Sequence, residues 1–454
     1  MISDPGFRPL FPAWTGYLDR AKASAPAPLR IGIEREDGLV SVFETIAPSK
    51  DGDPESTFRL VERVVKFLLW SRGGWRVHVQ GPSAIGRRLK ADYAESGVRA
   101  FDARVMGGVY EHPLEVVLHS PATFPEPREG THFPGGYLDG CRIGFDLGAS
   151  DYKVAAVMDG EPVWSEEIPW SPGEQADPAY HYEHIQAGLK KAASHLPRVD
   201  AIGGSSAGIL IRRQVRIASL FRSVPPDLFE TRVKTLFDRI AADWAVPFEV
   251  LNDGEVTALA GRLSLGETGV LGVAMGSSEA AGFLDNDGHI PGWLDELAFA
   301  PVDLDPEAAV DEWSQDHGVG ANYFSQQAVA RLALAAGLSF PPEMKLPERL
   351  KDVQARVAAG SVAAGRVFEQ IGAYLGYTIP WYEVFYSFKN LLVLGRVMSG
   401  PGGQIIVDKA SEILAAEFPA VAARVRLRLL DEKSRRVGQA VAAASLPEIT
   451  GDPR

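Results

Sequence analysis

Residues 143–153, Ile-Gly-Phe-Asp-Leu-Gly-Ala-Ser-Asp-Tyr-Lys, constrain this chain more than any other stretch. An apolar run leads into Asp146. Gly148, Ala149 and Ser150 then make a tight turn of small residues, and apolar residues resume from Val154 to Met158 before Asp159-Gly160. The pattern predicts strand, turn, strand, with a carboxylate and a hydroxyl at the tip. Small residues there let backbone N–H groups approach a phosphate, and Asp146 is placed to orient a hydrated Mg2+. Taken alone, the same run is equally an ordinary hairpin with an Asp at its turn.

A chain of 454 residues is too long for one core and implies two or three domains. Its net charge of −13 argues against nucleic acid as the main partner, because phosphate backbones need a basic face. Cys141 is the only cysteine, which excludes an internal disulfide and any cysteine-based zinc or iron–sulfur site. A reducing, cytoplasmic location fits. Residues 1–14 carry Asp4, Pro5, Arg8 and Pro12 and are not expected to be a signal peptide. The apolar stretch from Val357 to Ile379 contains Arg366, Glu369 and Gln370, so it reads as a buried helix and not as a membrane span.

Residues 1–28, rich in Pro and Gly, read as a surface wrap. Leu29–Ile33 and Leu39–Ile46 form a predicted hairpin, Phe58–Trp70 a helix, Arg76–Val79 a strand, Ser83–Ala94 a helix and Leu114–Leu118 a strand. Thr123–Gly136, with Pro125, Pro127, Pro134 and several Gly, is the best linker. Beyond the Asp146 hairpin come a helix over Ala179–Ser194, a small-residue loop at Gly203–Gly208, and a helix over Leu228–Asp243. The strand Phe248–Leu251, a helix from Gly254, the strand Gly269–Ala274 with its Gly276-Ser277-Ser278 turn, long helices and the strand Leu391–Leu394 complete the series. Alternation of strand and helix throughout sets the class as α/β.

Asn252-Asp253-Gly254 stands where a strand hands over to a helix. A carboxylate at the C-terminal end of a strand is where open α/β sheets bind ligands, though Asn and Asp are also favoured as plain helix caps. There Asn252 could bind a hydroxyl and Asp253 could take its proton. Two glycine-rich turns flank this carboxylate in sequence, and a third, from Gly395 to Gly403, follows near the C-terminus.

That succession resembles the actin/sugar kinase/Hsp70 superfamily, and within it the ROK family of repressors and glucokinase-like carbohydrate kinases, over about residues 140–454. The family's first phosphate motif is matched by Asp146, Gly148, Ser150 and Lys153, its sugar loop by Gly204–Gly208, and its Asn-Asp motif by Asn252 and Asp253. The second phosphate turn is similar to Gly272–Ser278, the Gly-Glu-x-x-His motif matches at Glu296, and the late glycine motif falls on Gly395-Arg396. The resemblance implies two actin-like (ribonuclease H-like) lobes with a nucleotide cleft, plus a small N-terminal α/β extension. Expected bounds are 1–137 for the extension, 138–255 for the first lobe and 256–454 for the second. It implies ATP-dependent phosphorylation of a sugar hydroxyl with Asp253 as general base. Ser206, Gly208, Asn252 and Glu296 would bind the acceptor. Asp146 would position Mg2+ through water, and Gly148, Ser150, Lys153, Gly276, Ser277, Gly395 and Arg396 would hold ATP. The expected partner is a small carbohydrate, with no nucleic acid or membrane and with a homodimer by family analogy.

The chain departs from the family pattern at Gly254 and Glu255, which replace Ala and Asn after the Asn-Asp pair, and at three further places. Ala149 replaces a Gly, Phe299 stands where the family has a zinc-binding His, with no cysteines in the matching loop, and Arg396 replaces a late Gly. No zinc site is therefore expected. These changes keep a second reading open, a non-catalytic sugar- or nucleotide-binding regulator on the same fold; residues 29–119 lack the basic recognition helix of a DNA-binding repressor. An ATPase of the dehydratase-activator type, which shares the first hairpin, is excluded by the single cysteine. Arg212, Arg213, Arg216 and Arg222 read as a solvated face before an anion pocket, His181 and His184 as surface histidines before metal ligands, and Trp381, Tyr382, Phe385 and Tyr386 as packing before a sugar platform.

Overall fold

A computed structural model describes residues 4, 6–48, 52–130, 135–149, 151–429 and 432–449. The chain begins with helix α1 (Leu10–Ala23), where the sequence predicts a surface wrap. Leu10, Trp14, Tyr17 and Ala21 recur at helical spacing and are buried, and Pro12 falls in the first turn, where proline is tolerated. Strands β1 (Ala27–Glu34) and β2 (Val40–Ala47) pair antiparallel as the predicted hairpin, followed by α2 (Pro54–Arg72), β3 (Arg76–Gln80), α3 (Ser83–Asp92), α4 (Ala100–Tyr110) and β4 (Glu115–Leu118). Their sheet has the order β2-β1-β3-β4.

Helix α2 carries the clearest local code. Asp53 caps it by accepting from Ser56 N at 3.0 Å, Pro54 occupies the first position, and Gly73 ends it with φ +71°. Its apolar side packs Leu60, Val61, Val64, Val65 and Leu68, while Glu62, Arg63 and Lys66 are buried too.

The second sheet contains β5 (Cys141–Leu147), β6 (Asp151–Met158), β7 (Glu161–Pro169), β8 (Ala201–Ser206) and β11 (Phe248–Asn252), in the order β11-β8-β5-β6-β7. The short hairpin β9 (Ile209–Ile211) and β10 (Gln214–Ile217) stands apart from it. One face packs Ile143, Phe145 and Val250 against Ile185 and Leu189 of α5 (Pro178–Ala193) and Phe237 and Ile240 of a following helix. The other face receives the C-terminal helix Glu432–Ala444. A third sheet has the order β13-β12-β14-β15, from β12 (Val270–Met275), β13 (Glu279–Leu284), β14 (Asn390–Leu394) and β15 (Arg426–Leu429).

The residues form two compact units. One comprises Met1–Thr131, Val273–Ala280 and Gly292–Leu429; the other comprises His132–Gly272, Ala281–Pro291 and Leu430–Arg454. The N-terminal α/β segment thus belongs to the same unit as residues 292–429. Residues 203–206, expected as loop, continue β8. Their small size is explained by packing: a Cβ on Gly203 would overlap the carbonyl of Ala443, and one on Gly144 that of Ala440, so the C-terminal helix rests directly on the backbones of β8 and β5. The Val357–Ile379 stretch, expected as one buried helix, is broken: Val357 and Ala358 end the helix Leu346–Ala358, and only residues from Val362 lie in the buried helix Val362–Phe385. Among the described residues no helix is long and apolar enough to cross a membrane.

Gly144→Ala and Gly203→Ala are each expected to destabilise the protein by about 1–3 kcal/mol, read from the midpoint of urea unfolding. An unchanged midpoint in both would remove the close helix contact as the reason for these glycines.

Candidate active site

Asp146 ends β5 and is buried. Its Oδ1 accepts from Ser205 Oγ at 2.8 Å, and its Oδ2 lies 3.5 Å from Lys153 Nζ, directly across the β5–β6 ladder. Burial raises its pKa, with Lys153 and Ser205 opposing. In the turn, Gly148 N–H donates to Asp151 O at 3.0 Å and Gly148 O accepts from Trp170 Nε1 at 2.8 Å. The Gly148 amide and carbonyl are therefore both engaged within the hairpin and its neighbour Trp170. Ala149 is exposed, so its methyl group points into open solvent at the tip. Ser150 lies outside the described residues.

Asn252 caps the helix Asp253–Leu265 through a capping box with Glu255. Its Oδ1 accepts from Gly254 N at 2.7 Å, and its Nδ2 donates to Gly208 O at 2.8 Å. The cap reading therefore holds, and Asn252 also ties the end of β11 to the Gly208 loop. Gly254 departs from the family motif because a Cβ there would overlap the Ala281 carbonyl. Asp253 is half-buried beside this cap. Burial and, next, the Asp146 carboxylate push it up to about 6, against the backbone N–H groups of Gly254 and Asp253. Gln439 of the C-terminal helix donates to Asp253 O at 3.0 Å and to Ser205 Oγ at 3.3 Å, joining the two acidic sites through one amide. Ser206 is buried at the end of β8, its hydroxyl donating to Ala207 O at 3.4 Å.

In the other unit, Gly276 N–H donates to Ser278 O at 2.9 Å and Gly276 O accepts from Gln326 N at 2.9 Å, leaving Ser277 and Ser278 exposed at the turn. Gly395, at φ +98°, packs on the backbone of Met275 with no room for a Cβ. Arg396 is exposed, and its carbonyl accepts from Gln354 Nε2 at 2.8 Å. Glu296 is half-buried at the start of a short 3-10 turn, Leu297–Phe299.

Sequence reasoning missed Glu279, a buried acid directly after the Gly276 turn. Its Oε1 accepts from Tyr382 at 3.0 Å, and its Oε2 has no hydrogen-bond partner among the described residues. Burial pushes it up to about 8, with Glu296 adding to the rise and the Tyr382 hydroxyl opposing. A lone charge in the small apolar run Glu-Ala-Ala-Gly-Phe-Leu was the available signal.

The remaining clusters divide between surface and core, with Arg212 and Arg222 exposed and Arg213 and Arg216 half-buried. Arg212 and Arg213 form the β9–β10 turn at φ +51° and +67°. Arg213 donates to Phe248 O at 3.0 Å and Arg222 to Gly173 O at 3.2 Å. His181 is buried, not surface-exposed, with Nε2 near Pro172 O and Leu220 O, while His184 Nδ1 meets Tyr180 O; the two rings serve different carbonyls. Trp381, Tyr382, Phe385 and Tyr386 are core residues.

No family model matches the sequence, and no curated protein matches it. Solved structures do. A ROK hexokinase from Thermus thermophilus is 17% identical with a TM-score of 0.52, covering 68% of this chain and 97% of that one. A ROK glucokinase from Streptomyces griseus, solved with glucose and AMPPNP, is 17% identical with a TM-score of 0.52, covering 68% and 99%. A ROK transcriptional regulator, a homologue of the E. coli MLC protein, is 19% identical with a TM-score of 0.54, covering 68% and 79%. The chain has the actin-like α/β fold of the ROK sugar kinases.

Because Glu279 binds its proton more tightly folded than unfolded, its contribution to stability is complete at low pH and is lost as pH rises toward about 8. Wild type should lose up to roughly 1.4 kcal/mol per pH unit from this group between its unfolded and folded pKa values. Glu279→Gln should remove that slope, measured as Tm between pH 5 and about 9. Parallel wild-type and variant curves would show that Glu279 stays ionised.

Proposed function

We propose that the protein transfers the γ-phosphoryl group of ATP to a hydroxyl of a sugar or sugar-like acceptor, in the compartment that supplies ATP, the cytoplasm. The observation that carries this reading is Asp253, a carboxylate at the end of β11 held near a pKa of about 6. Such a group is ionised at neutral pH yet more basic than a free Asp, which suits a general base. In the reaction the acceptor oxygen forms a bond to the γ-phosphorus as the bond to the ADP oxygen breaks, and the hydroxyl proton passes to Asp253.

The acceptor would be held by Glu296, by the remaining amide hydrogen of Asn252, and by the Ser206–Gly208 segment. Gly148, Ser150, Lys153, Gly276, Ser277, Gly395 and Arg396 would hold the nucleotide. Mg2+ fits the buried Asp146 carboxylate, whose Oδ2 faces Lys153 only at 3.5 Å, and when bound it would neutralise charge on the phosphates. Lys153 keeps Asp146 from accumulating uncompensated negative charge, and Ser205 fixes the orientation of its other oxygen. The named glucose and AMPPNP complex of a neighbour with this fold supports the choice of sugar and ATP.

The second reading, a sugar or nucleotide sensor without turnover, is favoured by the likeness to a ROK transcriptional regulator and by Phe299, an aromatic residue in place of a polar one.

A coupled ADP-release screen over D-glucose, D-mannose, N-acetylmannosamine, polyols and sugar acids should find turnover. Asp253→Asn should lower kcat by about 10²–10⁴-fold while ATP binding persists. In wild type kcat/KM should fall as pH drops through about 6, because the base is then protonated. Sugar and ATP binding by calorimetry without ADP release would decide for the sensor, and binding of neither would remove both readings.

A further inference from the structure

The segment that carries Glu296 is gripped by the C-terminal end of α2, a helix of the N-terminal α/β segment. Leu294 N–H donates to Arg72 O at 3.2 Å, Asp295 N–H to Ser71 O at 3.0 Å and Glu296 N–H to Trp70 O at 3.0 Å. The last carbonyls of a helix lack intrahelical partners, and here three successive ones are used to set the backbone of three successive residues. The side chains repeat the arrangement. Asp295 is buried at φ +51°, a left-handed conformation that a non-glycine residue keeps only when its neighbours over-determine it. Its Oδ1 accepts from Tyr386 at 2.7 Å while its N–H is held by Ser71. Arg72 lies 3.5 Å from the centre of the Trp293 ring and 5.0 Å from that of Tyr386, and donates to Phe385 O. On the far side of Glu296, Phe299 stacks on Trp70 at 4.4 Å and Phe101 at 5.6 Å. Trp70 is itself fixed by Asp102, which accepts from its Nε1 at 2.5 Å.

We propose that the last turn of α2, with Trp70 and Arg72, and Tyr386 of the helix Val362–Phe385 boundary are the positioning residues for Glu296, so that the N-terminal segment sets how tightly the acceptor is held. This inference rests on the reading of Glu296 as an acceptor ligand. It gives the N-terminal segment a role in acceptor recognition that its place in the sequence, ahead of the first phosphate hairpin, does not reveal. The left-handed Asp295 is the telling feature. It stands immediately before Glu296, one of the side chains that would touch the sugar, where a held backbone conformation fixes the direction in which that side chain leaves the chain.

The test uses the full-length protein and the best acceptor of the ADP-release screen. Tyr386→Phe removes only the hydroxyl that holds Asp295 and keeps the ring beside Arg72. It should raise the acceptor KM by about tenfold, the worth of one hydrogen bond to a charged group, and leave the ATP KM within about twofold. Trp70→Ala should do the same, and Trp70→Phe, which restores a ring against Phe299, should recover most of the loss. If Trp70→Ala does not fold, Tyr386→Phe alone decides. Glu296→Gln is the reference. A raised acceptor KM in Glu296→Gln with none in Tyr386→Phe and Trp70→Ala overturns this inference and leaves the kinase reading standing. An unchanged acceptor KM in Glu296→Gln overturns the acceptor role of Glu296 and this inference with it. No acceptor turned over by wild type overturns both. Equal losses in acceptor KM, ATP KM and Tm in Tyr386→Phe would show a structural brace and overturn the positioning role.

Discussion

Five buried charged side chains, joined by the half-buried Arg99, determine how the larger unit holds its irregular segments. Arg63 and Lys66 of α2 meet Asp316 at 2.8 and 2.7 Å, Lys66 meets Asp102 at 3.0 Å, and Arg99 meets Glu62 at 2.7 Å and Asp316 at 2.8 Å. Three cations and three carboxylates are thus matched, as groups taken out of water must be. Burial works to raise Asp316, yet Arg63 and Lys66 hold it far below the usual carboxylate range. Removing one member would leave an uncompensated charge in the interior, so the cluster acts as an all-or-none lock. What it locks is specific: α2 to α4, and both to the long stretch between Ala300 and Asn322 that has little regular structure. That stretch is fixed further by Tyr323 donating to Asp303 at 2.6 Å and by Trp381 donating to Pro301 O at 3.0 Å.

This lock explains why the N-terminal segment folds with residues 292–429 and not as an appended domain. Ion pairs add little net stability when buried, but they penalise every alternative docking in which they are unmatched. The apolar contribution comes from the aromatic run, where Phe67 stacks on Phe385 at 4.2 Å and Trp14 lies 6.2 Å from Trp381. Charge selects the arrangement and aromatic burial supplies its driving force.

The sequence was most legible where backbone chemistry is local. The Asp146 hairpin, the strand before Asn252 and the helix over residues 58–70 follow from turn residues and periodicity, and all three stand in the structure. Helix α1 was hidden because two prolines and a glycine near it suggested a coil, although its buried face recurs at helical spacing. Gly203–Ser206 looked like a loop because small residues have two uses, tight turns and close approach, and only the position of the C-terminal helix distinguishes them. The charge cluster was invisible for a different reason. Lys66 and Asp316 are 250 residues apart, and each alone reads as a solvated surface charge. Glu279 was missed on the same ground: burial raises its pKa, Glu296 adds to the rise and Tyr382 opposes it, and no local window contains that environment.

The arrangement of perturbed carboxylates also bears on whether this fold is used for chemistry or only for binding. A sensor needs donors and acceptors that match a sugar, and ordinary ionised carboxylates serve that purpose. Here the Asp146 carboxylate raises the cost of charging Asp253, and Gln439 ties the Asp253 carbonyl to Ser205, which in turn donates to Asp146. Holding two anionic groups in that way is unfavourable for the empty protein and becomes favourable only when a cation or a proton arrives. On the proposed kinase reading, metal delivery to Asp146 and proton delivery to Asp253 would be the two events that a phosphoryl transfer to a hydroxyl requires. On the proposed phosphoryl-transfer reading the raised Asp253 has a use, taking up the acceptor proton, that binding alone does not give it.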